Sequence, residues 1–154
     1  MWQRIQTLFL VMIIASMLGL LILPIWVNAP DTPNEHQLYA LHYTEKSPEG
    51  NKSYYLPYCL TAILAVAAAT VSFISIRSYH DRQKQMRLGL LNSLLMLGVM
   101  ICIVFFVTDL TETHPDAQYG FGFWLVAIGV ACNFLANRFI RRDEQLVKDA
   151  DRIR

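Results

Sequence analysis

The chain has 154 residues, of which 55% are hydrophobic and only 16% are charged. Soluble domains usually carry about 25% charged residues, so the composition favours a membrane protein, in one compact unit, over a water-soluble domain. The net charge of +1 gives no indication of nucleic-acid binding, and the three cysteines, none in a CxxC pair, are typical of small buried hydrophobic side chains.

The first predicted element is a membrane-spanning helix at about residues 5–27, with Pro24 bending or ending its last turn and Trp26 at the membrane interface. A cleaved signal peptide is the alternative, because Arg4, the apolar run and Val27-Asn28-Ala29 resemble its three regions. The run is longer than the apolar region of a signal peptide, so a spanning helix is favoured.

Residues 28–53 form the longest polar stretch and are predicted to be a loop outside the membrane. Within this loop, Leu38–Leu41 suits either a short strand or one helical turn lying on the membrane. Three tyrosines then mark the entry of the second span at the membrane interface: Tyr54, Tyr55 and Tyr58.

The second span, at about residues 54–76, carries a stripe of small side chains. Ala65, Ala68, Ser72 and Ser75 follow the 3-4-3 spacing that places residues on one face of a helix. Helix association in lipid depends on close packing, which small side chains permit. We therefore predict that this face packs against other helices of a bundle.

The third and fourth spans are predicted at about residues 88–110 and 119–140, and the links before them are short. Short links make neighbouring helices antiparallel, so the predicted fold is an all-α, up-down bundle of four transmembrane helices at residues 1–140. Gly120 and Gly122, at the entry of the fourth span, are interpreted as positions of close packing.

Residues 141–154 are predicted to form a charged, amphipathic helical tail, either continuing the fourth helix or turning along the membrane surface. Four of its apolar residues share a face: Leu146, Val147, Ala150 and Ile153. A stripe of this kind on a mixed-charge helix suits contact with a partner protein, or packing on the chain's own bundle.

The distribution of charge predicts the orientation. With four spans, both termini and the link after span two share one side, which holds eleven of the thirteen Lys and Arg residues. The other side holds only Lys46 and Lys52, together with seven carboxylates. The positive-inside rule therefore predicts that both termini are cytoplasmic and that anionic lipid headgroups contact the basic side.

Three asparagines at similar depth in the third and fourth spans are the main polar candidates. Asn133 and Asn137 are four residues apart on one helix face, and Asn92 lies at a comparable depth. Amides in hydrocarbon seek hydrogen-bond partners, so they are interpreted either as links between helices or as the lining of a polar cleft, with Thr70 and Ser75.

The sequence offers no catalytic motif and predicts neither enzyme activity nor a cofactor. Asp109 is interpreted as a solvated residue near the end of span three. His36, His42 and His114 would form a zinc site if they met beside a carboxylate, but nothing in their spacing requires this. They are more simply surface histidines.

Two terminal segments carry a family resemblance. Trp2-Gln3-Arg4-Ile5-Gln6-Thr7 before the first span, and Arg142-Asp143-Glu144 with Lys148 to Arg154 at the other end, resemble a family of small four-span inner-membrane proteins of Bacteroidota. That family is classed as a domain of unknown function. The resemblance implies placement in the inner membrane and supplies no catalytic residues.

These observations lead to two hypotheses for function. The first is a non-enzymatic protein of the bacterial inner membrane that acts as an accessory or scaffolding subunit of a larger membrane assembly. The second is a small transporter, or a module that binds a lipid or small molecule in the polar cleft.

Overall fold

The computed structural model describes residues 3–28, 35–47, 50–78 and 81–152. It contains four long helices: α1 (Gln3–Ile22), α2 (Cys59–Arg77), α3 (Arg82–Thr113) and α4 (Phe121–Arg152). All four are long and apolar enough to cross a membrane, which confirms this part of the prediction.

The helices form a closed ring in which each contacts two neighbours. α1 packs against α2 and α4, and α3 packs against the same two helices from the other side. The centre is filled by large apolar side chains that are almost fully buried, among them Ile13, Met17, Met96, Val99 and Val126. Many leucines and phenylalanines point outward, as expected of helices whose outer faces contact lipid.

One end of the bundle is capped by a small antiparallel sheet, which the all-α prediction missed. Its strands lie in the order β4-β3-β2-β1-β5. They comprise β1 (Trp26–Val27), β2 (Glu35–Leu38), β3 (Tyr43–Ser47), β4 (Gly50–Tyr54) and β5 (Gln118–Tyr119). The sheet lies at the end of α1 and at the starts of α2 and α4. Neighbouring helices therefore run antiparallel. We call this the sheet end, and the opposite end the tail end.

The sheet adds two details to the prediction. Trp26 belongs to β1 and not to a spanning helix: it is 1% exposed and is the partner of Leu38 and of Tyr119. The stretch Leu38–Leu41 is the end of β2 and the turn that follows it. The carbonyl of Ala40 accepts from the amide of Ala62, which fixes the sheet on the start of α2.

The observed helix bounds differ from the predicted spans. α1 ends at Ile22, two residues before Pro24, and α3 begins after Asp81, whose side chain accepts from the Lys84 amide at 3.0 Å. α4 continues to Arg152 without a break, so the tail is the end of the fourth helix. Its 32 residues extend about 48 Å, well beyond a hydrocarbon core of about 30 Å.

Candidate functional site: a groove between two helices

A chain of side-chain amides and hydroxyls links α2, α3 and α4 near the tail end. Asn92 is 1% exposed, and its Nδ2 donates to Ser72 Oγ at 3.1 Å and to Asn133 Oδ1 at 3.0 Å. The amide of Asn133 in turn donates to Ser93 Oγ at 2.8 Å. Because every member is held by another helix, the network positions α4 against α3.

The absence of a side chain at Gly89 lets the network reach the surface of the bundle. A Cβ atom built on Gly89 would lie 2.1 Å from Asn137 Oδ1. Glycine therefore allows the Asn137 amide to approach α3, where its Nδ2 donates to the Gly89 carbonyl at 3.2 Å and to Ser93 Oγ at 2.9 Å.

A groove of about 970 Å³ lies between α3 and α4, on the outer side of this network. Its volume is at the upper end of the usual range for small-molecule sites, about 300–1,000 Å³. Apolar side chains line one part and polar or cationic side chains line the part nearer the tail end. The full lining is Ser93, Met96, Leu97, Met100, Val130, Asn133, Phe134, Asn137, Arg138, Arg141, Arg142 and Gln145.

The groove is amphipathic along its length. On α4, Val130 and Phe134 precede Arg138 and Arg141, so hydrophobic contact gives way to positive charge within about 16 Å of helix. Among the side chains that the structure describes, no carboxylate lines the groove. Asp143 and Glu144 lie between the lining residues Arg142 and Gln145 in the sequence, and Asp143 accepts from Gln6 Nε2 of α1 at 3.1 Å.

The structure divides the residues that sequence reasoning placed in a polar cleft. Asn133 and Asn137 line the groove, whereas Asn92 is buried behind them. Thr70 is exposed on α2 and donates to its own helix at Val66, and Ser75 is buried in the bundle.

The small-residue stripe of α2 lies inside the chain's own bundle. Ala65, Ala68, Ser72 and Ser75 are all buried. Of the tail stripe, Leu146 is 54% exposed. The side chains of Val147 and Ala150, and the whole of Ile153, fall outside the described residues.

Sequence reasoning missed the apolar wall of the groove, formed by Met96, Leu97, Met100 and Phe134. In a spanning helix these residues give the same signal as lipid-facing ones. The arginines were identified as indicators of orientation and as contacts for anionic lipid headgroups, but not as part of a groove.

A second cluster lies at the sheet end. The rings of His36 and His114 stack with centroids 4.3 Å apart, and Tyr43 Oη lies 2.7 Å from His36 Nδ1. His36 is buried, so its interpretation as a surface histidine was wrong. His42 stacks instead on Tyr39. Among the described residues, no group of three or more His, Cys, Asp or Glu side chains is placed to hold a metal.

This cluster predicts acid sensitivity of the sheet end. Burial lowers the pKa of His36, the nearby His114 lowers it further, and Glu45 on the adjacent strand opposes both effects. The unfolded chain therefore binds protons near pH 6.5 more readily than the folded chain does. Stability should be level above that pH and fall as the pH drops below it.

Thermal unfolding in detergent at neutral and mildly acidic pH measures this loss. The variant His114→Gln, which removes the repelling partner, should lose less stability on acidification than the parent chain. An equal loss in both proteins would contradict the assignment to this pair.

Comparison with known proteins adds a family but no activity. Residues 2–153 match the family described as Domain of unknown function (DUF4293). No curated protein matches the chain.

Proposed function

Since this chain belongs to the DUF4293 family, a domain of unknown function, we propose its function from its own geometry. The protein is a non-enzymatic, multi-pass protein of the bacterial inner membrane that binds an amphiphile between α3 and α4. The observation that carries this proposal is the groove, which is apolar along one part and cationic at the tail end.

The charge distribution supports the orientation that this function requires. The tail end carries eleven of the thirteen Lys and Arg residues, which favours a cytoplasmic location under the positive-inside rule. The resemblance to inner-membrane proteins of Bacteroidota agrees with this placement. The groove then opens to the cytoplasmic leaflet, and the sheet lies outside.

The dimensions of the groove suit a molecule drawn from one leaflet. About 16 Å of α4 separates Val130 from Arg141, and half of a hydrocarbon core is about 15 Å. A ligand with an apolar chain and a polar head would therefore place its chain against Phe134 and Met100 while its head reaches the arginines.

Filling the groove tests the proposal. Leu97 lines the groove and is 56% exposed, whereas Leu94 is 60% exposed on the same helix and is not among the lining residues. We expect Leu97→Trp to reduce acyl-chain binding at least several-fold, because the indole occupies the space, and Leu94→Trp to leave it unchanged. The probe is phosphatidylcholine with a photoreactive acyl chain in vesicles, and mass spectrometry maps the adducts.

In the parent chain, adducts should concentrate on Leu97, Met100 and Phe134. Adducts spread evenly over the lipid-facing residues of all four helices would contradict binding in the groove. The zwitterionic headgroup of the probe carries no net charge, so this test depends mainly on the apolar wall of the groove.

The second candidate is the accessory or scaffolding role. It is favoured by the unbroken extension of α4 to Arg152, on which the side chain of Leu146 is exposed. Crosslinking in intact membranes should then give a partner adduct that Leu146→Glu removes. A protein that always runs alone or as a homo-oligomer would count against this role.

A further inference from the structure

We propose that the ligand of the α3/α4 groove is a glycerophospholipid with an anionic headgroup, whose phosphate is bound by Arg138 and Arg141. This inference rests on the proposed function and names the class of molecule that the groove binds. Arg142 and Gln145 also line this part of the groove.

The apolar wall of the groove contributes little to selectivity between lipids. Lipid tails are as apolar as leucine side chains, so moving an acyl chain from the bilayer into the groove yields little free energy. The apolar wall therefore sets where the chain lies and does not decide which lipid binds. Discrimination depends on the polar part of the groove.

The polar part of the groove is suited to binding a phosphate group. Arg138 and Arg141 are both exposed and lie about one helical turn apart, so their guanidinium groups extend from the same face of α4. Guanidinium groups match phosphate oxygens in a bidentate geometry, and charge-assisted hydrogen bonds are the stronger ones. Among the described side chains, the charged groups that line this part of the groove are all cationic, which favours an anionic ligand.

An uncharged side chain next to the arginines fixes α4 against α3. The amide of Asn137 lies one residue before Arg138, and it is already bonded to α3 through Gly89 and Ser93. The backbone of α4 that carries the arginines is therefore fixed relative to the groove. Such a fixed arrangement reduces the ordering cost of binding one headgroup.

The experiment compares headgroups on the same photoreactive acyl chain. Phosphatidylglycerol and phosphatidylcholine probes are placed at equal, low mole fraction in phosphatidylcholine vesicles containing the full chain. We expect about tenfold more adduct in the groove for phosphatidylglycerol, because the choline ammonium of phosphatidylcholine offsets its phosphate charge, and the loss of one charge-assisted contact corresponds to a ratio of about that size. The double variant Arg138→Gln with Arg141→Gln should reduce phosphatidylglycerol labelling to the phosphatidylcholine level.

A matched control removes two cations outside the groove. Arg77 and Arg87 are exposed, lie at the tail end and do not line the groove, so Arg77→Gln with Arg87→Gln should retain the preference. Equal loss in both double variants would show general surface attraction and overturn the inference. Displacement of the lipid probe by excess inorganic phosphate would also overturn it, since the site would then bind free phosphate.

Failure of this inference and failure of the proposed function would give different labelling patterns. Equal labelling by both headgroups, concentrated in the groove, would overturn the anionic class and leave the proposed function standing. No enrichment of either probe in the groove would contradict the proposed function itself.

Discussion

Replacing Gly120 or Gly122 with alanine should lower the free energy of unfolding more than a glycine-to-alanine substitution at any other described position. A Cβ atom on Gly120 would lie 2.3 Å from the carbonyl oxygen of Pro24, and one on Gly122 would lie 2.8 Å from that of Leu23. Backbone atoms cannot rotate away as a side chain can, so α1 and α4 must separate.

That separation would also break hydrogen bonds that join the residues following α1 to the start of α4. The amide of Gly120 donates to Ile25 O at 2.8 Å, and the amide of Gly122 donates to Pro24 O at 2.9 Å. These bonds satisfy amides at the start of α4 that have no partner within the helix. Overpacking typically costs about 1–3 kcal/mol of unfolding free energy. We expect each variant to lose an amount near the upper end of that range.

Gly98→Ala is the control for this prediction. A Cβ atom there would approach only the end of the Leu64 side chain, at 3.2 Å, which can shift. Alanine also gains about 1 kcal/mol of helix propensity over glycine, so this variant should be close to neutral. Unfolding in mixed micelles gives the comparison, and similar stabilities for Gly98→Ala and Gly120→Ala would contradict the packing described here.

Asn92→Asp should be the second severe substitution, although it hardly changes the shape of the side chain. Asn92 Nδ2 donates to Ser72 Oγ and Asn133 Oδ1, and a carboxylate can donate to neither. It would also bring a charge into the bundle, where insertion scales assign about 2.5–3.5 kcal/mol to an aspartate at the centre of a spanning helix.

Asn92→Leu separates the lost hydrogen bonds from the added charge. Interhelical hydrogen bonds in membranes average about 0.6 kcal/mol, so the loss of two predicts about 1 kcal/mol. Part of this is offset because Asn92 Oδ1, which finds no donor among the described residues, is removed as well. An aspartate variant as stable as the leucine variant would show that Asn92 is more hydrated than the structure indicates.

The helices could be predicted from sequence because each is specified locally. A continuous apolar run is visible within one segment, whereas the sheet depends on residues far apart in the chain. β1 and β5 have only two residues each, and Trp26 pairs with Tyr119, more than ninety positions away. No window of sequence around Trp26 or Tyr119 contains that pairing, so the two residues were predicted to lie at the ends of spans, and residues 28–53 were predicted to be a loop.

The candidate site was predictable in part for the same reason. The depth of Asn92 and Asn133 in their spans predicted either a link between helices or the lining of a cleft, and the two amides lie in hydrogen-bond contact. The groove depends on the spacing between α3 and α4 outside that contact. No residue type in the sequence indicates that spacing. Gly89, whose missing side chain brings Asn137 to α3, showed no pattern that would distinguish it from other helical glycines.

The central claim is that four helices cross the membrane with the arginine-lined part of the groove in the cytoplasm. Single cysteines placed by Lys46→Cys in β3 and by Gln145→Cys in the groove, in a background without Cys59, Cys102 and Cys132, test it directly with a membrane-impermeant maleimide. On intact spheroplasts, the account predicts labelling at position 46 at once and at position 145 only after permeabilisation. Labelling of position 145 from outside, with position 46 protected, would contradict it.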